Sequence, residues 1–315
     1  MKPTVGYSTC IMVIILISVF ILLLFWNTAL WGYQDKNIND IESDDAACFC
    51  EEAKSIVLKA NNKKAIILVH GYPSCPRLYT YSAKRFAEAG YDVYAPLLPG
   101  FGTDVKEFEK TYFTQWFNYL CRYYETIRAS YPTVVVLGTS MGGMMTLKLG
   151  EIYSNTPQAP AALVSISAPV VYNSIRDWIF TDIRLSVMRT ISLFKPTFAA
   201  KTVRGNPKGE DGNELWTGYA GLFINQGLSL INAMGPVRRD LGKISCPLYA
   251  IQDVNDKTVP FKNLKIIQRE NGSHDFQTLE TEMGNYGHTR HALLMYYSIQ
   301  SELTDSILDF LKDKE

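Results

Sequence analysis

VVVLGTSMGGMM, residues 134–145, decides how the rest of the chain is read. Branched apolar residues run into Gly138-Thr139-Ser140-Met141-Gly142, and helix formers follow. A G-x-S-x-G string alone recurs by chance in unrelated chains. Between a β-branched strand and a helix it has a mechanical meaning, because a sharp turn there lifts the serine oxygen above the edge of a sheet. Gly138 and Gly142 then occupy the positions where side chains would collide with neighbouring backbone, and the helix N-terminus behind Ser140 favours developing negative charge.

Outward from this turn the chain alternates strand-like and helix-like segments. AIILVHG at 65–71 is an unbroken apolar run ending in glycine, as expected of a strand buried on both faces. YDVYAPLLPG at 91–100, AALVSISAP at 161–169 and CPLYAIQD at 246–253 supply further strands, with FQTLETEM beyond them. Helical stretches at 81–90, at 113–131 and behind Ser140 lie between them. Such repeated β-α units imply right-handed crossovers and a mainly parallel sheet covered by helices on both faces. Residues 171–243 interrupt the rhythm. Both DWIFTDIRLSVMRTISLF and LWTGYAGLFINQGLSLINAM read as helical, with the loop VRGNPKGEDGNE between them. We expect this insertion to form a cap over the C-terminal edge of the sheet, where open α/β sheets bind ligands.

A serine hydroxyl needs a base to take its proton, and the chain has 4 histidines. His70 ends the first strand, and His274 precedes the strand FQTLETEM. His288 lies on a glycine-bearing loop after that strand, and His291 follows shortly. The order serine, acid, histidine selects His288, with His291 in reserve. Asp253 and Asp256 in AIQDVNDKTVP offer the acid. Asp256 suits a side chain reaching across to a histidine, while Asp253 suits a brace of the turn. An oxyanion hole requires backbone N–H groups, expected from Met141 after the nucleophile and from Tyr72 after His70-Gly71, with His70 holding that loop.

With these residues in place, LVHGYPSCP, PLLPGFGTD, VVVLGTSMGGMMTLKLG, VSISAPV and IQDVNDKTVP…YGH follow the order seen in the α/β-hydrolase superfamily. The chain resembles its bacterial monoacylglycerol lipase and small carboxylesterase branch over about residues 50–315. The resemblance implies hydrolysis of carboxylic esters of short to medium acyl chains, monoacylglycerol among them, through an acyl-enzyme with no metal or organic cofactor. It implies Ser140 as nucleophile, His288 as base and then acid, Asp256 as its orienter, and Tyr72 and Met141 as oxyanion donors. The cap is long for the small esterases, and Pro73-Ser74-Cys75 replaces the small residues common after the oxyanion position. An acyltransferase or thioesterase would use the same triad, and a non-catalytic binding protein would keep only the fold.

The remaining features concern location. The 315 residues carry a formal net charge of zero, which gives no electrostatic reason to expect a nucleic-acid partner. CIMVIILISVFILLLFW at 10–26 is apolar except for Ser18. As a helix it is long enough for a hydrocarbon core of about 30 Å. Its length and the lack of a good cleavage site favour a retained anchor over a removed signal peptide. The expected organisation is an anchor at 1–31, an acidic linker at 32–52 and a hydrolase domain at 53–315. Lys2 and Lys36 nearly balance in the positive-inside count, so the short tail and long domain place the catalytic domain on the extracytoplasmic side, periplasmic or luminal. A disulfide from Cys48 or Cys50 to Cys75 would suit that compartment, whereas Cys121 and Cys246 read as core residues.

Overall fold

The computed structural model describes residues 5–314. Lys2, used in the orientation count, lies outside them. The chain opens with the helix α1 (Val5–Thr28) and crosses a segment with two short turns of helix to β1 (Ile56–Leu58) and β2 (Lys64–Val69). It continues through α2 (Thr80–Glu88), β3 (Asp92–Ala95), α3 (Val105–Phe108), α4 (Phe113–Ser130), β4 (Thr133–Thr139), α5 (Met141–Tyr153) and β5 (Ala162–Ile166). The insertion holds β6 (Asn173–Ser174), β7 (Ile179–Phe180), α6 (Leu185–Ser192), β8 (Thr197–Arg204), β9 (Thr217–Phe223) and α7 (Ile224–Asp240). The chain then returns to β10 (Leu248–Asp253), α8 (Lys262–Glu270), β11 (Phe276–Thr281) and α9 (Gln300–Leu311).

Seven strands form one sheet in the order β1-β3-β2-β4-β5-β10-β11. All neighbours run parallel except the β1–β3 pair. Ile66, Ile67, Leu68 and Val69 of β2 are fully buried, as are Val136 and Leu137 of β4. This explains their unbroken apolar runs: helices cover both faces, so neither face needs polar residues. One face packs under α4 and α5 through Trp116, Leu120 and Leu147, the other under α2 and α9 through Phe86, Leu303 and Ile307. The fold is an α/β-hydrolase fold, as expected.

The insertion departs from the two-helix expectation. Thr217–Phe223 is a strand paired antiparallel with Thr197–Arg204, and helix begins only at Ile224. TGYAGLF carries two glycines in seven residues, costly in a helix, and its aromatics suit a strand. The first segment likewise spends residues 173–180 on a small hairpin before α6. Arg238 of α7 fastens the insertion to the sheet layer by pairing with Asp177 of that hairpin at 2.5 Å and with Glu270 at the end of α8 at 2.9 Å. That guanidinium holds the Glu270 carboxyl down to about 2.

Residues 32–52 run over the domain surface rather than hanging free. Asp35 accepts from Thr114 at 2.7 Å, and Arg122 of α4 pairs with Asp40 at 2.6 Å and Glu42 at 2.8 Å. The expected disulfide is not formed. Cys48, Cys50 and Cys75 are all free thiols, and the Cys75 thiol is directed at the Thr217 carbonyl at 3.6 Å. Burial pushes that thiol up to about 12. The apolar stretch of α1 from Thr9 to Thr28 has an 18-residue window of mean hydropathy 3.0 with no buried residue, whereas Asn27 near its end is buried against the domain.

Candidate active site

The site begins where β4 ends. Ser140 has φ 60° and ψ −121°, a conformation that L-residues rarely adopt. It is held there from both sides: its N–H donates to Ile166 O at 2.7 Å and its carbonyl accepts from Met144 N at 3.0 Å. The glycines are required by contact. A Cβ on Gly138 would stand 2.1 Å from Gly142 O, and one on Gly142 would stand 1.9 Å from Val69 O. No rotamer relieves a backbone clash of that size. The first turn of α5 is thus pressed against the end of β2, which brings the loop after β2 beside Ser140. A Cβ on Gly71 would meet Ser140 Cβ at 3.0 Å.

Two N–H groups are available at this junction. Among the described residues, neither the Tyr72 nor the Met141 N–H is engaged in a hydrogen bond. His70 holds their loop, as expected. Its Nδ1 lies 3.1 Å from Gly71 O and its Nε2 accepts from Leu98 N at 3.1 Å, so the ring is a neutral Nδ1–H tautomer. Burial pushes its pKa down to about 4. A histidine that protonates near 6.5 when unfolded but near 4 when folded makes the unfolded chain bind the extra proton between those values. Stability is therefore intact above pH 6.5 and falls towards pH 4, by up to about 1.4 kcal/mol per pH unit from this group. Urea midpoints of the wild type and His70→Gln at pH 7, 5.5 and 4 should show a shallower acid loss in the variant. Parallel losses would place the acid sensitivity elsewhere.

The acid and the histidines are arranged differently from the sequence reading. Asp253 braces the turn, accepting from Asn255 N at 2.9 Å, Thr281 Oγ1 at 2.9 Å and Met283 N at 2.8 Å. Asp256 Oδ1 accepts from Thr258 N at 2.8 Å and Val259 N at 3.0 Å, which aims Oδ2 outward from the loop. There it meets His291 Nδ1 at 2.8 Å, not His288. The Asp256 carboxylate is shut off from solvent, and the His291 ring is nearly so. His291 Nε2 is buried without a partner among the described residues.

His288 is occupied on both edges. Its Nε2 lies 3.2 Å from Asp211 Oδ2 and its Nδ1 accepts from Arg290 N at 3.1 Å, while its ring stacks on Tyr296 with centroids 3.7 Å apart. Asp211 belongs to the loop between β8 and β9, and it also accepts from Ser298 N at 2.7 Å and Ser298 Oγ at 2.6 Å. His288 therefore ties the cap loop to the C-terminal segment. Sequence reasoning missed Asp211, for which GEDGNE carries no signal beyond a turn. It separated His288 from His291 only by chain order, and the backbone between them is not helical: Arg290 takes a φ of 55°.

Above Ser140 the insertion encloses a cavity of about 330 Å³. Ser140 and Tyr72 lie at its base, and Met188, Phe223, Leu228 and Ile231 of the cap line its apolar walls. The volume falls at the lower end of that of small-molecule sites. Among the described residues no cluster of His, Cys, Asp or Glu could hold a metal ion.

A family model described as serine aminopeptidase, S33, matches residues 60–295. The chain is 28% identical to a thermostable monoacylglycerol lipase of Bacillus sp. strain H-257 over 66% of this chain and 76% of that one. It is 23% identical to a carboxylesterase of Bacillus subtilis over 68% and 80%. Among solved structures, a metagenome-derived lipolytic enzyme superposes with a TM-score of 0.68 at 21% identity, covering 83% of this chain and 98% of that one. With the matched region running from just before β2 to the short turn beyond His291, the chain belongs to the serine aminopeptidase S33 family of hydrolases and is a serine hydrolase of the lipase and carboxylesterase type.

Proposed function

We propose that Ser140, His291 and Asp256 hydrolyse single-chain carboxylic esters, monoacylglycerols among them, from a membrane anchored by α1. The observation that carries this reading is the Asp256–His291 couple, whose Nε2 is unspent, in the same domain as a strained, half-exposed Ser140. Ser140 Oγ attacks the ester carbonyl carbon as His291 Nε2 takes its proton. The carbonyl π-electrons move to oxygen, which the Tyr72 and Met141 N–H groups receive. Collapse breaks the C–O bond, and the alcohol departs with the proton from His291. Water then gives a proton to His291 and its oxygen to the acyl carbon, and the free acid leaves as Ser140 recovers its proton. Asp256 stays ionised and stabilises the imidazolium in both halves.

The apolar cavity and the monoacylglycerol lipase relative support an acyl chain as the group bound. The hydropathy and exposure of α1 support a membrane anchor, with residues 32–52 as the connection, and the short tail before a long domain supports an extracytoplasmic catalytic domain. A fluorophosphonate probe should label the full chain once, on the peptide containing Ser140, and a medium-chain monoacylglycerol added first should slow labelling. Labelling of another residue, or none in folded protein, would overturn the assignment.

A further inference from the structure

The end of α1 is built into the cap. Asn27, only 3% exposed, accepts from Thr190 N at 3.0 Å and donates to Thr190 Oγ1 at 2.9 Å. Arg189, beside it on α6, is buried and forms no ion pair among the described residues. Its guanidinium lies 3.4 Å over the Trp26 ring and donates to Trp26 O at 3.1 Å and Trp31 O at 2.7 Å. A cation set on the final carbonyls of a helix answers that helix's dipole, and the ring face adds to the hold. Tyr33 donates to Asn225 O on α7 at 3.1 Å, and Leu30 packs on Ile224 and Leu228. A narrow cleft between Asn27, Leu30 and the cap shares Leu185, Leu228 and Ile231 with the cavity above Ser140.

The same stretch of cap that grips α1 exposes large apolar side chains. Trp178 is 79% exposed, Ile183 88% and Phe194 86%, with Ile175, Phe180 and Leu193 open beside them in sequence. Beyond α1 and this stretch, exposed apolar groups such as Val57 and Ile152 are scattered singly, which needs no explanation. A concentration of them fastened to an apolar helix end does. The exposed charges within and beside these tips are basic, Arg176 and Lys195, while Asp182 and Arg184 pair with each other at 2.6 Å.

We propose that residues 175–194 of the cap seat in the same lipid leaflet that α1 enters, so that α1 and α6 dock as one unit and the cavity opens towards the bilayer. The partner is the lipid surface itself, and the argument is continuity: a rigid clamp of buried Asn27 and Arg189 leaves the cap no freedom to face away from the membrane at the helix end. This rests on the reading of α1 as a membrane anchor. Aromatic and aliphatic side chains at such a depth add buried apolar area to the anchor's own. A substrate with one acyl chain would then enter from the leaflet rather than from water.

The test uses the full chain reconstituted in phosphatidylcholine vesicles. Trp178 emission, taken as the difference between wild type and Trp178→Phe, should be quenched by brominated lipid and protected from aqueous iodide. Ile183→Asp should raise KM for a monoacylglycerol dissolved in the vesicles about tenfold, the scale of moving a charge to the interface, and leave turnover of soluble p-nitrophenyl butyrate as it was. If Trp178 is quenched by iodide while Trp26 and Trp31 are quenched by brominated lipid, the anchor stands and the docking proposal falls. If alkaline carbonate strips the chain from the vesicles, the anchor reading fails and the proposal with it.

Discussion

His291→Ala is expected to lower kcat on p-nitrophenyl butyrate by about 10⁵- to 10⁶-fold, the scale seen when the base of a serine triad is removed. Without Nε2 at His291, the proton of Ser140 has no acceptor, because the only other histidine of that loop is already spent. The double variant with Ser140→Ala should be no worse than either single one, since both remove the same step. His288→Gln should behave differently. It loses the stack on Tyr296 and the contact with Asp211, so it should lower thermal stability by about 1–3 kcal/mol. Its kcat at a temperature where it remains folded should stay within tenfold of wild type. The pair is decisive on folded protein: if His288→Gln abolishes fluorophosphonate labelling and His291→Ala does not, the assignment reverses.

The elbow was legible because its constraints are local. Strand, serine and glycines lie within a few residues, and each glycine answers a clash that the turn itself creates. Parallel strands buried on both faces were legible for the same reason, as runs without a polar position. Which histidine meets Asp256 was not, because it depends on a loop conformation: Arg290 in a left-handed turn sends His291 to Asp256 and leaves His288 facing Asp211 from a distant part of the chain. No pattern within GNYGHTRH encodes that partner. The β9 strand was different: the glycines and aromatics of TGYAGLF are local signals for a strand, and only its partner, Thr197–Arg204, was hidden. Asn27 and Arg189 were silent in sequence too; an asparagine and an arginine acquire meaning only when one helix end rests on another helix.

Asp256→Asn is the sharpest test of how the base is oriented, with an expected loss of about 10⁴-fold in kcat and little change in KM. The aspartate accepts four donors: the N–H groups of Thr258 and Val259 on Oδ1, and His291 Nδ1–H and, at 3.4 Å, the Gln252 amide on Oδ2. An asparagine that keeps its oxygen on the two backbone groups must turn its NH₂ towards His291. Nδ1 then has to accept, the ring proton moves to Nε2, and the atom that should receive the Ser140 proton already carries one. Flipping the amide restores Nδ1–H but sets the NH₂ against two backbone donors in a site closed to water, leaving those groups unpaired at about 1–3 kcal/mol each. Either way the productive tautomer is rare. Asp253→Asn offers the contrast: its oxygens hold Asn255, Thr281 and Met283 and reach no histidine, so the variant should lose stability through the β10–β11 turn while kcat on the folded fraction stays within a few-fold. Steady-state kinetics alongside thermal denaturation separate the two effects, and an Asp256→Asn enzyme that kept more than a tenth of wild-type kcat would show that His291 takes its orientation from another group.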